Sequence, residues 1–347
     1  MKPNNSPNMV SVTLKILNIT GTPFAEIKKV LANEVDDLLL EYALSNRMHL
    51  FFLESLRRYA IDTFSVEFQQ LIEKYDRVNG TIVKIAETLE KNNIEYSFFK
   101  SIRPYREVTV DIDIIIFNDC QKAIRVLKDT GLRLLETGPL STTLRDETSE
   151  INIDLYEEIG VSYIIYMDKE RLFPFIVKRT IEDGHVVKSL DAIADLLAII
   201  SHSIIKEQMY VLSEYFTTIY YLHQMTSQEL DKLIEMAKQW KLKEALSTHL
   251  SITSAIHMKA HGFIPKPLEK LLETVGYNDR EMERVRKREY QTPYKYHPLT
   301  VVDSFAEKLF EEKARRSIAI QLLKMSNPTF AINFLKGTLK HVSRNRY

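Results

Sequence analysis

A single cysteine, Cys120, stands in 347 residues. One thiol cannot close an intrachain disulfide or build a cysteine zinc cluster. Such a chain suits a reducing compartment, and a cytoplasmic location is the expectation. Glycine is scarce too, with 9 residues in the whole chain, well under the roughly 7% typical of globular proteins. The glycines lie at 21, 80, 131, 138, 160, 184, 262, 276 and 337. None of these spacings makes a Walker loop or a G-x-G-x-x-G fingerprint, so neither phosphate cradle is present. Scarce glycine also argues against a turn-rich all-β fold. Net charge is missing as well: 47 Lys and Arg balance 47 Asp and Glu. A chain that wraps nucleic acid through bulk charge is thereby excluded, though a local basic patch is not. No apolar run approaches the ~20 residues that span a bilayer. The longest, Ile112 to Phe117 and Leu196 to Ile200, are short and flanked by polar residues. Met1 to Thr20 carries Lys2, Asn4, Asn5 and Lys15, so neither a signal peptide nor a membrane partner is expected.

What remains is a globular composition, 45% apolar and 27% charged, of a length that suits about two domains. Three stretches are expected: an N-terminal helical segment over 1–92, an α/β core over 93–188 and a C-terminal helical domain over 189–347. In the first, Val10, Val12, Leu14 and Ile16 alternate and predict a short strand or ordered arm. Phe24, Ile27, Val30 and Leu31 recur at helical spacing, and Ser65 to Asn92 predicts one long helix with Gly80 inside it. The period then shortens. Ile94–Phe99, Val108–Phe117, Leu132–Glu136, Thr142–Arg145, Ile151–Tyr156 and Tyr163–Tyr166 read as strands. Asp119 to Gly131 reads as a compact helix with an acidic start and a glycine stop, and Asp183-Gly184 as a hairpin turn. Beyond Leu190 nearly everything is helical, with Ser189 a plausible N-cap.

Chemistry concentrates in the middle stretch. In the strand Val110-Asp111-Ile112-Asp113-Ile114, alternation puts Asp111 and Asp113 on one face and the isoleucines on the other. Two carboxylates on one face of a buried strand repel each other and cost desolvation energy, so a cation is required nearby. Magnesium is commonly held by one or two carboxylates plus substrate phosphates. A third acid, Asp154, sits in a matching frame, Ile151-Asn152-Ile153-Asp154-Leu155. Carboxylates on adjacent strands are expected to hold two metal ions, Mg²⁺ or Mn²⁺, for in-line phosphoryl or nucleotidyl transfer. Asp111 and Asp113 would take the ion that carries the triphosphate. Asp154 would help hold the second and accept the proton of the attacking hydroxyl.

Lys100-Ser101, Asp111-Ile112-Asp113 and Ile153-Asp154-Leu155 follow one another in that order, after the lead-in Leu89 to Phe99. Together they resemble the polymerase-β nucleotidyltransferase superfamily, and more closely its uncharacterised bacterial and archaeal nucleotidyltransferases. The resemblance covers about 25–200. It implies an α+β fold, with a small mixed sheet as a polymerase-β-like core flanked by helices. It implies metal-dependent transfer of a nucleoside monophosphate from an NTP to a hydroxyl of RNA, protein or a small molecule. The turn before the D-x-D would grip the triphosphate, which assigns Lys100, Ser101, Arg103 and Arg106 to nucleotide binding. The family turn carries a glycine, and here none occurs between Gly80 and Gly131. The alternative from another class is a binding or regulatory protein that keeps the fold with little or no catalysis.

Two further signals are weaker. His257 and His261 stand four apart on a predicted helix, without the glutamate of a zinc-protease motif, and read as surface histidines. Lys336, Lys340, Arg344 and Arg346 form an acid-free basic end, which reads as a solvated tail or as a contact for a nucleic-acid backbone.

Overall fold

The computed structural model describes residues 9–28, 32–328, 330–332 and 336. Val30, Leu31, Lys340, Arg344 and Arg346 lie outside the described residues. The first helix, α1 (Met9–Thr20), replaces the strand or arm expected there. Val12, Ile16 and Ile19 repeat at i, i+4 and i+7 and are all buried, so the helical period prevails over the alternation. Gly21 to Lys28 is irregular, pinned by a Thr22–Ala25 bridge. Then come α2 (Asp37–Ser45), α3 (His49–Arg57) and α4 (Ser65–Lys91). In α4 the buried stripe Val78, Ile82, Ile85 and Leu89 keeps helical spacing.

Next follow β1 (Tyr96–Phe98), β2 (Asp111–Ile116), α5 (Cys120–Asp129), β3 (Arg133–Thr137), β4 (Ser141–Asp146), β5 (Ile151–Tyr156), β6 (Ile159–Val161) and β7 (Ile164–Met167). A short α6 (Lys169–Leu172) leads to β8 (Ile176–Thr180) and β9 (Val186–Leu190). Seven strands form one mixed sheet in the order β3-β4-β5-β2-β1-β9-β8. In it β2 runs parallel to β5 and β1 parallel to β9, and the other pairs are antiparallel.

The C-terminal part is helical: α7 (Ala192–Ser201), a π-helical turn over His202–Glu207, α8 (Leu212–Gln224), α9 (Ser227–Gln239), α10 (Lys243–His261), α11 (Lys266–Val275), α12 (Asp279–Lys287), α13 (Pro298–Lys308) and α14 (Glu312–Met325). Two short strands, β10 (Met209–Tyr210) and β11 (Tyr294–Lys295), pair among them. Ser189 lies in β9 and does not cap α7. Asp191 does, accepting the Ala194 N–H at 2.8 Å. Aspartate at that position matches the donor geometry of a first turn. His257 is also not a surface residue. It is fully buried and bonded to the Tyr215 hydroxyl at 2.8 Å, because α10 runs through the middle of the helical layer.

The sheet separates two cores. Ile112, Ile114 and Ile116 of β2, with Ile153 and Leu155 of β5, pack under α4 and α5. Ile115 and Tyr156 point the other way, into a larger core shared with α7, α8 and α10. Alternation therefore sends Asp111, Asp113 and Asp154 toward that helical layer. Residues of α1 to α3 join the same core.

Candidate active site

Strand pairing brings the three acids together. Asp113 lies directly opposite Asp154 in the parallel β2–β5 ladder, and Asp111 opposite Asn152. One carboxylate oxygen from each of Asp111, Asp113 and Asp154 lies within 4.8 Å of the others, the one such group of three potential metal ligands among the described residues. Asp113 is 1% exposed, while Asp111 and Asp154 are half-buried. Thr143 of the neighbouring β4 donates its hydroxyl to Asp154 Oδ1 at 2.6 Å, which fixes that carboxylate. Asp113 Oδ1 is buried and has no hydrogen-bond partner among the described residues. A buried carboxylate oxygen with nothing to accept from is costly. A divalent cation on this oxygen and its neighbours would satisfy it, so the donor set fits a hard metal ion.

The electrostatics agree. Burial and the neighbouring charge of Asp111 push the Asp113 carboxyl up to about 7, against the opposing pull of Lys100. Burial acts to raise Asp111 as well, but Lys100, Lys206 and Arg47 outweigh it and hold it below the usual carboxylate range. A bound cation would invert the balance at Asp113, because its own charge favours the ionised form.

Lys100 and Ser101 form the turn after β1. Lys100 adopts φ 60°, the left-handed region that favours glycine. The turn therefore does take a glycine-like conformation, with lysine bearing the strain. Its N–H donates to Asp195 Oδ1 at 2.7 Å, and its Nζ reaches Asp113 Oδ2 at 2.9 Å. Ser101 Oγ accepts the Asp113 N–H at 2.8 Å, locking the turn to β2.

Arg103 donates to the Thr217 hydroxyl at 3.1 Å and borders the carboxylate lobe. Arg106 does not reach that lobe. It is held by Glu54 at 2.8 Å and Glu182 at 2.7 Å.

Further polar groups, not among the candidate site residues read from the sequence, surround the acids. The π-helical turn supplies His202, Lys206 and Glu207 in place of a continued α-helix. His202 is buried, and desolvation, then Lys100 and Lys206, lower its pKa to about 3, so the ring is neutral. It lies 3.1–3.2 Å from Lys100 Nζ, 2.9 Å from the Tyr166 hydroxyl and 3.1 Å from Glu207 Oε1. That arrangement suits a ring donating from Nε2 to Glu207 and accepting at Nδ1. Lys206 Nζ donates to the Tyr156 hydroxyl at 2.8 Å. The one visible signal was polar residues breaking the apolar run of α7 at His202 and Lys206.

The space beside Asp111 and Asp113 is small, about 30 Å³, lined also by Lys100, Arg103 and His202. That volume admits a water-sized occupant. Arg103, Glu107 and Thr109 connect it to a neighbouring cleft of about 390 Å³, bounded by Tyr75, Ser101, Arg106 and Arg179. The cleft is large enough for a small-molecule ligand, but none of the three acids lines it. Size points to the cleft and charge to the lobe; the chemistry belongs to the lobe.

No family model matches the sequence. No curated protein matches it either. Among solved structures, the chain is similar to an antigenic nucleotidyltransferase-like protein from Paracoccidioides brasiliensis, at 16% identity and a TM-score of 0.30 over 47% of this chain and 88% of that one. It is also similar to a CCA-adding enzyme in complex with ATP, at 14% identity and a TM-score of 0.23 over 75% of this chain and 85% of that one. A Thermotoga maritima CCA-adding enzyme complexed with tRNA gives 13% identity and a TM-score of 0.23 over 75% and 76%. No helix among the described residues is long and apolar enough to cross a membrane.

Proposed function

We propose that this protein is a divalent-metal-dependent nucleotidyltransferase that moves a nucleoside monophosphate from an NTP to a hydroxyl of an acceptor. The observation that carries the reading is the meeting of Asp111, Asp113 and Asp154 on two parallel neighbouring strands, with a buried Asp113 oxygen lacking a partner. These three residues would hold Mg²⁺ or Mn²⁺. When bound, the ion supplies positive charge for a triphosphate and orients it.

The chain's own groups do the rest. Asp154, steadied by Thr143, takes the proton of the acceptor hydroxyl. The hydroxyl oxygen forms a bond to the α-phosphorus, and pyrophosphate leaves with the electrons of the broken P–O bond. Arg103, at the junction of lobe and cleft, is placed to meet phosphate oxygens, and Ser101 lines the cleft beside it. Arg106, engaged by Glu54 and Glu182, braces the cleft wall. The acceptor is RNA, protein or a small molecule, with the α/β core of 93–188 doing the chemistry and the flanking helices choosing the acceptor.

A second reading is a nucleotide-binding regulatory protein with little catalysis. The small carboxylate lobe, part-filled by the Lys100 side chain, favours it. One assay separates the two. Each α-labelled NTP is incubated with Mg²⁺ or Mn²⁺ and RNA, protein and small-molecule acceptors, beside Asp111→Asn. Label transfer that disappears in the variant supports the enzyme. Thermal stabilisation by NTP without transfer to any acceptor supports the binder and removes the enzyme.

A further inference from the structure

The sequence pattern alone points to two metal ions at the three carboxylates. The position of Lys100 alters that expectation. Its ammonium lies 2.9 Å from Asp113 Oδ2, in a site where Asp113 is nearly wholly buried. The side chain is not a surface lysine that happens to fold inward. Its backbone sits at φ 60°, where a β-carbon is strained, and Asp195 pins the N–H of that same residue at 2.7 Å. Lys100 itself is 8% exposed. A neutral His202 ring lies against Nζ, where it can accept from the ammonium without repelling it. Every one of these contacts holds a positive charge at one fixed point beside Asp113.

Charge counting then limits what else can enter. With a cation bound, which favours the ionised form, the three carboxylates offer three negative charges. One divalent ion and one ammonium balance them. Two divalent ions plus the ammonium overshoot by two charges, against one without it, so the ammonium weighs against a second ion; Lys206, on the Tyr156 hydroxyl, adds the same charge in either case. The carboxylate oxygens divide in the same way. Lys100 holds Asp113 Oδ2, while Asp113 Oδ1 stays buried and without a partner among the described residues. The Lys100 side chain lines the same small lobe as Asp111 and Asp113, so it takes up space beside them that a second ion would need.

We propose that Lys100 is a tethered cation standing in for one of the two metal ions, so that the site holds a single divalent ion on Asp111, Asp154 and the remaining oxygen of Asp113. The inference rests on the nucleotidyltransferase reading above and fixes the metal content of that same site. Lys100 is then part of the charge that meets the triphosphate, permanently attached to the chain and independent of metal supply. The left-handed backbone at position 100 acquires a reason: it delivers the ammonium to Asp113 from a turn only two residues past the end of β1.

The test is a count of Mn²⁺ ions bound to the full-length protein, by equilibrium dialysis with electron paramagnetic resonance of the bound metal. The wild type is expected to bind one Asp111-dependent, magnetically isolated Mn²⁺ per chain. Lys100→Met, which keeps the length of the side chain and removes its charge, is expected to bind two, with the spectrum of an exchange-coupled pair. Lys100→Gly suits the left-handed backbone and provides a second variant should the methionine variant fold poorly; it too is expected to bind two. Two ions in the wild type overturn this inference and leave the functional reading standing. A single ion in both Lys100 variants also overturns it. No Asp111-dependent ion in the wild type removes the functional reading and this inference together.

Discussion

Replacing Lys100 by alanine and by glycine separates the two costs that meet in one residue. Lys100→Ala deletes the ammonium beside Asp113 Oδ2 but keeps a β-carbon at φ 60°. Removing one partner of a buried ion pair costs about 3–5 kcal/mol. Asp113 is already pushed up to about 7, so its carboxyl can take a proton when the ammonium leaves. That escape places the cost at the lower end, about 3 kcal/mol. For 347 residues, an unfolding entropy of about 2.1 cal/mol/K per residue gives about 0.7 kcal/mol/K. The alanine variant should therefore melt about 4 °C below the wild type without metal. Lys100→Gly suffers the same electrostatic loss and recovers about 1 kcal/mol of left-handed strain, so it should melt about 1–1.5 °C above the alanine variant. Elsewhere the order is reversed, since glycine is usually the less stable of the two. Calorimetry of the metal-free proteins reads both differences. A glycine variant melting at or below the alanine variant refutes the claim that backbone strain is concentrated at position 100. Two variants that melt with the wild type refute the claim that the Lys100–Asp113 pair holds the turn.

Glu107 ties the same turn to the N-terminal helices. Its carboxylate accepts the N–H groups of Leu50 and Phe51, at the start of α3, and of Val108, at 3.0–3.3 Å. Glu107→Ala leaves those donors without it and should destabilise the fold by about 1–3 kcal/mol, read as a drop in Tm. Burial raises the Glu107 pKa to about 7, from an ordinary value near 4.5. Its folded form prefers the proton, so its contribution is full below about pH 4.5 and fades as pH rises through about 7. The Tm gap between wild type and Glu107→Gln should accordingly shrink from pH 5 to pH 8; a gap that widens contradicts the assignment. The two arginines should also part company. Arg103→Ala is expected to raise the nucleotide KM about 10-fold or more, the value of one charge-assisted phosphate bond. Arg106→Ala, partly exposed and held by Glu54 and Glu182, should shift stability by about 1 kcal/mol or less and KM far less than Arg103→Ala.

The acids were legible in the sequence because alternation is local. Ile112, Ile114 and Ile116 bracket Asp113 within one strand, and Ile153 and Leu155 bracket Asp154. The helix after Asp119 was equally plain, since its cap and stop lie within a dozen residues. The pairing of the Asp154 strand beside β2 was expected and is found; its exact register, Asp113 opposite Asp154, was not legible, because two strands intervene and the register is a tertiary fact. What escaped depended on distance along the chain. Arg106 looked like a phosphate ligand because nothing near it in sequence announces Glu54 or Glu182. Lys100 was expected at the turn as a triphosphate ligand; its engagement with Asp113 was not legible, because a left-handed backbone at a lysine leaves no compositional mark. The π-helical turn was invisible for a related reason: His202 to Glu207 directly continues α7, and nothing in its composition marks the change in hydrogen bonding. At α1, a short window of alternating residues concealed a helical stripe that the buried core selected.

Asp195 is where the helical layer takes hold of the carboxylate site. It is 1% exposed on α7; one oxygen accepts the Lys100 N–H at 2.7 Å and the other the Tyr221 hydroxyl at 2.6 Å. Asp195 touches none of the three acids' metal-facing oxygens, so it is a positioning residue, acting through the conformation of Lys100. Asp195→Asn keeps an acceptor for the Lys100 N–H and should be mild. Asp195→Ala leaves that N–H buried without its acceptor, a loss of about 1–3 kcal/mol. Stability alone does not distinguish a positioning role from general packing, and a double-mutant cycle does. If Asp195 works by holding the strained turn, its removal should matter much less once Lys100→Gly has relaxed that turn. The coupling should then be at least about 0.5 kcal/mol, as for residues in direct contact, and any additional Mn²⁺ bound by Asp195→Ala, whose Lys100 is released, should be absent in Asp195→Asn. Strict additivity of the two variants would show that the helix supports the sheet without governing where the lysine charge sits.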